Sequence, residues 1–194
     1  MLPELEDGDE NIIVDNGSDP PLAFATISPG RNLGFSGGSN AGLRYASADA
    51  VLFLNNDVAH RRRGWLAEIR KRLEPGVLIG RLRYDHHADV DGEQFPYLDG
   101  WCLAGMREDL LELDGFDESL EEPAYYSDNL LCLEARAAGM TLREAPVWLL
   151  HRESYTSKPA TNPNVQAATA ANRARYTARA RELMEGAGHG VSRR

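Results

Sequence analysis

Ala50–Leu54 is an uninterrupted apolar run that stops at the polar triplet Asn55-Asn56-Asp57. A run of this length and composition predicts a β-strand covered on both faces by helices. Further strand and helix patterns alternate from residue 11 to about residue 80. We therefore predict an α/β fold with a Rossmann-like, mainly parallel sheet flanked by helices.

Polar side chains follow several of the predicted strands. Asp15, the stretch Asn55-Asn56-Asp57 and His151 each come directly after an apolar run. Ligands of open α/β sheets bind beyond the carboxyl ends of the strands, so we expect these side chains to lie close together. A carboxylate and an imidazole suit Mn²⁺, and a hard cation of this kind can bridge the two phosphates of a nucleotide. A helix cap at Asp57 and a structural histidine at 151 are the alternatives.

Asp128 begins a predicted helix over 128–138, where free backbone amides stabilise a carboxylate. It is either a helix cap or a base that takes a proton from a hydroxyl group. The chain has no dinucleotide-binding glycine fingerprint, no P-loop and no nucleophile elbow. Phosphate groups, if bound, are therefore expected to be held through a metal ion.

Acidic side chains outnumber basic ones by 30 to 21, which gives a formal net charge of −9. This excess disfavours nucleic acid as a partner, because affinity for its phosphates comes from basic side chains. No apolar run approaches the roughly 18 residues of a membrane span, and residues 1–10 are acidic, unlike a signal peptide. We expect a cytoplasmic protein without a transmembrane segment.

The chain is predicted to form a single domain over residues 1–185. The stretch 164–185 is rich in Ala and Arg and nearly free of helix breakers, which predicts a long C-terminal helix. Residues 186–194 are expected to be a disordered tail. Cys102 and Cys132 are expected to be buried and unpaired, because no further ligands stand at metal-site spacing.

Several short motifs follow one another in a specific order. They are residues 14–18 (VDNGS), 32–42 (NLGFSGGSNAG), 53–57 (FLNND), 115–118 (GFDE), 126–128 (YSD), and His151 with Ser154 and residues 172–173. In this order they resemble the family 2 glycosyltransferases of the rhamnosyltransferase-like type. Each motif alone is weak, but the combination is specific and covers residues 11–176.

This resemblance implies a GT-A-like fold in which residues 11–82 bind a nucleotide sugar and residues 83–160 bind an acceptor. The implied reaction is inverting transfer of a hexose from a nucleotide-diphosphate sugar to a hydroxyl group of a glycan, glycolipid or protein. Asp128 matches the catalytic base, and Asp57 and His151 match ligands of Mn²⁺ or Mg²⁺. The implied nucleotide-sugar-binding positions are Asp15, Asn16, Asn32, Gly34, Phe35, Asn40, Asn56 and Trp101.

The sequence departs from the family pattern at a few places. Ser127 stands where relatives carry Glu, and Leu130 replaces an acid two positions after the base. Relatives also begin with a strand and a helix before the VDNGS segment, whereas only ten residues precede Asn11 here. Because loss of an interior strand exposes sheet edges, we expect a homo-oligomer or another arrangement that covers them.

Two other functions are compatible with these residues. The departures at Ser127 and Leu130 would suit a catalytically inactive nucleotide- or glycan-binding module derived from such an enzyme. A sugar-nucleotide pyrophosphorylase is a weaker alternative, because the chain lacks a Gly-rich basic signature for a nucleoside triphosphate.

Overall fold

The computed structural model describes residues 9–60, 63–84, 88–120, 125–145, 149–151 and 163–188. The helices are α1 (Gly34–Tyr45), α2 (Trp65–Arg70), α3 (Arg107–Glu112), α4 (Ser127–Ala137) and α5 (Pro163–Gly188). The strands are β1 (Ala50–Leu54), β2 (Val58–His60), β3 (Val77–Arg83), β4 (Asp89–Val90), β5 (Glu93–Gln94), β6 (Tyr97–Met106), β7 (Thr141–Glu144) and β8 (Leu149–His151).

A four-stranded sheet with the order β1-β6-β3-β7 forms the centre of the fold. β3 and β7 are parallel, whereas β6 is antiparallel to both of its neighbours, β1 and β3. Three of the four strands therefore run in one direction, but the sheet is mixed, and in it only β3 and β7 pair as parallel neighbours. Residue periodicity identifies strands without identifying their partners, which is why the insertion of β6 was not predicted.

The central position of β6 follows from its composition, since eight of its ten residues are buried. Successive side chains of a strand point to opposite faces of the sheet. Cys102 packs with Trp65 and Ile69 of α2 on one face, while Leu103 belongs to a larger core with Leu131 of α4 on the other. Helices thus flank the sheet on both sides, and the predicted α/β class is confirmed.

The alternating strand pattern that starts at residue 11 is only weakly realised at first, because residues 11–14 and 24–27 form just an isolated parallel bridge between Val14 and Ile27. The backbone N–H of Asp15 donates to the carbonyl of Ile27 at 2.8 Å. Of residues 9–32, Asp15 alone is buried. This segment therefore buries too little apolar surface to support a longer ladder.

The predicted C-terminal helix is confirmed as α5, which packs along α4 and the segment before β4. Tyr176 is buried, and its hydroxyl group donates to the carbonyl of Ala88 at 2.9 Å. α5 includes residues 186–188, which were placed in the tail, while residues 189–194 lie outside the described part of the chain. Within the described residues, no helix has the length and apolar character to cross a membrane.

Candidate active site

A short antiparallel pairing brings Asp57 beside His151. β1 ends at Leu54, and the turn that follows leads directly into β2. β2 pairs with β8 so that Val58 lies opposite His151. Two side chains 94 positions apart in the sequence therefore meet beyond the end of β1, as expected, but through an antiparallel pairing and not through the shared carboxyl ends of parallel strands.

The facing atoms of Asp57 and His151 lie close together without forming a hydrogen bond. Nε2 of His151 is 3.1 Å from Oδ1 of Asp57. This Nε2 and both carboxylate oxygens of Asp57 are buried and have no hydrogen-bond partner among the described residues. Because buried polar atoms are ordinarily paired, such orphaned atoms indicate a site that is completed by a ligand.

The donor set at Asp57 and His151 fits a divalent cation. Carboxylate oxygen and imidazole nitrogen together suit Mn²⁺, and Mg²⁺ is commonly bound by one or two carboxylates together with substrate phosphates. Within the described part of the chain, no three metal-binding side chains come together. A cation held here would therefore take its remaining ligands from water or from a substrate.

Trp101 of β6 lies against the metal-ligand candidates. Its indole stacks on the imidazole of His151, with ring centroids 5.0 Å apart and an interplanar angle of 9°. Its Nε1 donates to Oδ2 of Asp99 at 3.0 Å, and its carbonyl accepts the N–H of Asn55 at 3.0 Å. Trp101 thereby links the turn after β1 to the middle of β6.

Asp128 lies at the start of α4, on the other side of the same stretch of β6. The N–H of Gly100 donates to its Oδ2, and the N–H of Asn129 donates to its Oδ1, each at 3.0 Å. Burial raises the pKa of Asp128 to about 6, and the negative charge of Asp99 adds to this effect, while the two backbone amides oppose it. A carboxyl group with this pKa can accept a proton near neutral pH.

The backbone just before Asp128 is unusual. Tyr126 has φ of 84°, a left-handed conformation that is uncommon for a residue with a large side chain. It is buried, and its ring packs 5.6 Å from that of Tyr176 on α5. Packing against α5 therefore holds the turn that delivers Asp128 to β6.

Asp99 and Gly100 were not singled out in the sequence, although a signal was present. They interrupt the otherwise apolar β6 directly before Trp101. Asp99 is 9% exposed, and a Cβ at Gly100 would lie 3.0 Å from Cζ of Phe35 and 3.3 Å from Cβ of Asp128. A buried acid and a close approach at a glycine, both within one buried strand, mark a site that packing alone does not require.

The structure places Asp15 in the loop between residues 14 and 27. The backbone amides of Ser18 and Leu22 donate to its two carboxylate oxygens at 3.0 and 2.9 Å. A hydrogen bond from the Ser18 side chain, together with these two amides, holds the pKa of Asp15 below its usual value. The carboxylate therefore organises its own loop.

Asn16 and Asn32 connect this loop to the start of α1. Nδ2 of Asn16 donates to the carbonyl of Gly34 at 2.7 Å, and its Oδ1 accepts the N–H of Leu33 at 2.8 Å. Oδ1 of Asn32 accepts the N–H of Gly34 at 2.8 Å. Gly34 has φ of 73°, which a residue without a side chain adopts at little cost.

Two further predicted binding residues lie inside the fold. Asn40 is 2% exposed, and its side chain bonds to both the N–H and the carbonyl of Phe116, at 2.9 and 2.7 Å, and to Glu118 at 2.9 Å. Phe35 packs edge-on against Phe116, with centroids 5.0 Å apart. Both side chains join α1 to the turn at 115–118.

Asn56 and the two cysteines lie in contrasting environments. Asn56 is exposed in the turn between β1 and β2. Cys102 and Cys132 are both buried and free, as expected. Burial raises the pKa of Cys102 to about 12, so this thiol is not a nucleophile at neutral pH.

One comparison with known proteins agrees with the resemblance, namely the match to a family profile. Residues 4–98 match the sequence profile described as Glycosyl transferase family 2. No curated protein matches the chain. Among solved structures, the chain is similar to the mannosyltransferase PcManGT from Pyrobaculum calidifontis in complex with GDP-Man and Mn²⁺, with a TM-score of 0.48 and 16% sequence identity.

That similarity covers 86% of this chain and 58% of the mannosyltransferase chain, so this chain spans less than two thirds of its length. The profile match covers the motifs at 14–18, 32–42 and 53–57, which lie in the N-terminal half. The profile match therefore supports the resemblance for the N-terminal half of the chain: residues 4–98 are similar to the family 2 glycosyl transferases, and the rhamnosyltransferase-like subtype stays a prediction.

Proposed function

We propose that this chain is an inverting, metal-dependent glycosyltransferase that moves a hexose from a nucleotide-diphosphate sugar to an acceptor hydroxyl group. The observation that carries the proposal is the arrangement around residues 99–101 of β6. His151, whose Nε2 faces Asp57, stacks on Trp101, while Asp128 bonds to the adjacent Gly100. A pair of metal-ligand candidates and a base therefore flank one short piece of strand.

Asp57 and His151 would hold Mn²⁺ or Mg²⁺. Their three orphaned atoms support this assignment, because a cation would satisfy all of them at once. When bound, the metal supplies positive charge that stabilises a departing diphosphate. Two protein ligands leave room for diphosphate oxygens and water.

Asp128 would act as the general base. Its carboxylate is held by two backbone amides, so it has a fixed orientation. With a pKa of about 6 it is mostly ionised at pH 7 and can remove the proton from an acceptor hydroxyl group. An acceptor oxygen activated in this way would attack the anomeric carbon on the face opposite the leaving diphosphate, which inverts the configuration.

The nucleotide would lie along the loops before α1 and after β1. We assign direct contacts to Asn32, Asn56 and Trp101, whose side chains are not fully buried. The other predicted binding residues would support the nucleotide site indirectly, because their contacts hold the loops that form it. They are Asp15, Asn16, Gly34, Phe35 and Asn40. The acceptor, a glycan, glycolipid or protein, would approach from the side of Asp128.

The test is a binding and turnover assay with a panel of UDP-, GDP- and dTDP-sugars. Mn²⁺ together with at least one nucleotide should raise the unfolding temperature, and Asp57→Asn and His151→Ala should remove this effect. Asp91→Asn is the control, since it also removes one carboxylate, but one that pairs with Arg181 of α5 and was assigned to neither metal nor nucleotide. Absence of nucleotide binding with every donor, in the presence of Mn²⁺, would refute the proposal.

The same assay separates an enzyme from a binding module. A transferase releases free nucleoside diphosphate in step with a glycosylated product, and Asp128→Asn should abolish this turnover while leaving donor binding intact. Donor binding without product in the wild-type protein, unaffected by Asp128→Asn, would instead identify an inactive module.

A further inference from the structure

Two arginines of β3 share one buried carboxylate beside the candidate active site. Nε of Arg83 donates to Oδ2 of Asp99 at 2.9 Å, and Nε of Arg81 lies 4.0 Å from the same oxygen. Nε1 of Trp101 also donates to this oxygen. A single carboxylate thus contacts two permanently charged guanidinium groups in a chain whose net charge is −9.

Both guanidinium groups retain donors that can reach a ligand. The side chains of Arg81 and Arg83 are 50% and 40% exposed. Among the described residues, no hydrogen bond or ion pair engages their Nη groups. Two Nη groups on a planar guanidinium form a fork that fits two oxygens of a carboxylate or a phosphate.

Three acids lie near the arginines, and they leave the Nη groups unpaired. Glu144 accepts the N–H of Leu82, the residue between the arginines, and among the described residues it forms no ion pair with either of them. Asp99 contributes a single carboxylate, already shared by both arginines and by Trp101. Asp128 is turned to the amides of Gly100 and its own helix, and within the described residues it forms no ion pair with either arginine.

Asp99, which contacts the arginines, and His151, a proposed metal ligand, touch different parts of the Trp101 indole ring. Asp99 contacts the Nε1 edge of the Trp101 indole, and His151 covers its face. An anion held by Arg81 and Arg83 would therefore be distinct from a diphosphate held through Asp57 and His151. The arginine contact and the contact to the proposed base are made by consecutive residues of β6, Asp99 and Gly100.

We propose that Arg81 and Arg83 form an oxyanion subsite that binds a carboxylate or phosphate group of the acceptor. This inference rests on the proposed transferase function, which gives the donor diphosphate to the metal side and the acceptor to the side of Asp128. The acceptor is then an acidic saccharide, with its charge on the arginines and its reacting hydroxyl group directed to Asp128. Asp99 holds the two arginines in place.

The test is calorimetric titration of the full chain with D-glucuronate and D-glucose 6-phosphate, in the presence of a chelator. D-glucose is the neutral probe, and inorganic pyrophosphate stands for the donor diphosphate. At least one acidic sugar should bind more tightly than glucose. Arg81→Gln and Arg83→Gln should each weaken that binding by about tenfold, as expected for loss of a charge-assisted hydrogen bond.

Arg143→Gln is the matched control. Arg143 is 45% exposed on β7 and pairs with Glu74 at 2.7 Å, so it carries the same charge on the same sheet away from Asp99. This variant should bind the acidic sugar with unchanged affinity.

Three results would overturn the subsite. The first is equal affinity for acidic and neutral sugars, and the second is that Arg143→Gln weakens binding of the acidic sugar as much as the Arg81 and Arg83 variants do. The third is that the Arg81 and Arg83 variants lose affinity only for pyrophosphate, which would assign these arginines to the donor. The titration uses neither metal nor turnover, so it is read separately from the assay for Mn²⁺ and nucleotide binding. A failure of the transferase proposal is therefore distinguishable from a failure of the subsite.

Discussion

The imidazole of His151 lies flat against the indole of Trp101, with 5.0 Å between ring centroids and 9° between ring planes. Stacking restricts the ring of His151 while its Nε2 faces Asp57. Trp101, on another strand, therefore fixes the orientation of the proposed metal ligand His151. Residues that surround a metal site commonly orient its ligands in this way.

Trp101→Ala should weaken Mn²⁺ binding by about two- to tenfold, because an aromatic pair contributes roughly 0.5–1.5 kcal/mol beyond its buried area. Trp101→Phe keeps a stacking face and should stay within about twofold of the wild type. Calorimetry with Mn²⁺ and a saturating nucleoside diphosphate measures both. Equal affinities for the wild type and Trp101→Ala would show that His151 is positioned without the stack.

The rate of transfer should depend on the ionisation of Asp128. Since the base must be deprotonated and its pKa is about 6, kcat/KM should fall about tenfold per pH unit below pH 6 and level off above pH 7. A pH profile under single-turnover conditions checks this. A rate that stays constant between pH 5 and 7 would exclude Asp128 as the base.

Ionisation of the buried Asp128 should lower the stability of the folded protein at neutral pH. Its folded-state pKa lies above the unfolded value of 3.8, so the folded state binds more protons and stability falls as the pH rises from about 4 to about 6. Asp128→Asn has a single acceptor oxygen and leaves one of the two backbone amides unpaired at every pH, but relative to the wild type its free energy of unfolding should rise by on the order of 1–3 kcal/mol between pH 4 and pH 7. Urea denaturation at both pH values measures it.

Asp91→Asn is the control of opposite sign for this stability effect. A hydrogen bond from Arg181 holds the pKa of Asp91 below its usual value, so its ionised form is favoured in the folded state. Its substitution should not stabilise the protein at pH 7. Equal stabilisation by both substitutions would point to the net charge of the chain as the cause.

Asn40→Ala should destabilise the fold by about 2–4 kcal/mol, because it leaves the N–H and the carbonyl of Phe116 without their buried partner. Asn56→Ala, in an exposed turn, should change stability by less than about 0.5 kcal/mol. Denaturant midpoints compare the two. A neutral Asn40→Ala would mean that Asn40 serves a ligand and not the joint between α1 and residues 115–118.

Gly100→Ala should reduce turnover more than stability. The new methyl group would lie 3.3 Å from Cβ of Asp128 and 3.0 Å from Cζ of Phe35, so the base must shift to make room. We expect kcat to fall by about 10- to 100-fold, since small displacements of a catalytic group are costly. Gly42→Ala in α1 meets only ordinary contacts, the nearest at 3.5 Å, and should leave kcat unchanged.

Much of the fold could be predicted because it depends on local patterns. The apolar run of β1 and the breaker-free composition of α5 identify these elements without knowledge of their partners. Partner choice was not predictable, and the sheet is therefore mixed where a mainly parallel one was expected. Asp57 and His151 meet because β2, which directly follows Asp57, pairs antiparallel with β8, which ends at His151, and the sequence does not predict this pairing.

The candidate site was harder to predict where a residue acts through the fold. Asn40 carries a polar side chain within a family-like motif, yet its hydrogen bonds go to Phe116 and Glu118. Asp99 lacked any matching motif, and its importance comes from meeting Arg83 and Trp101, which a linear sequence does not place together. Such roles depend on which strands become neighbours.

The three consecutive residues 99–101 touch, in turn, the arginine pair, the proposed base Asp128 and the stacked imidazole. Neighbouring α-carbons on a chain are 3.8 Å apart whatever surrounds them. The covalent geometry of β6 therefore sets the distances between these three contacts. Small movements of the helices would therefore displace these three contacts together. Surface loops can differ between relatives while the distances between the arginine pair, the proposed base and the imidazole are kept.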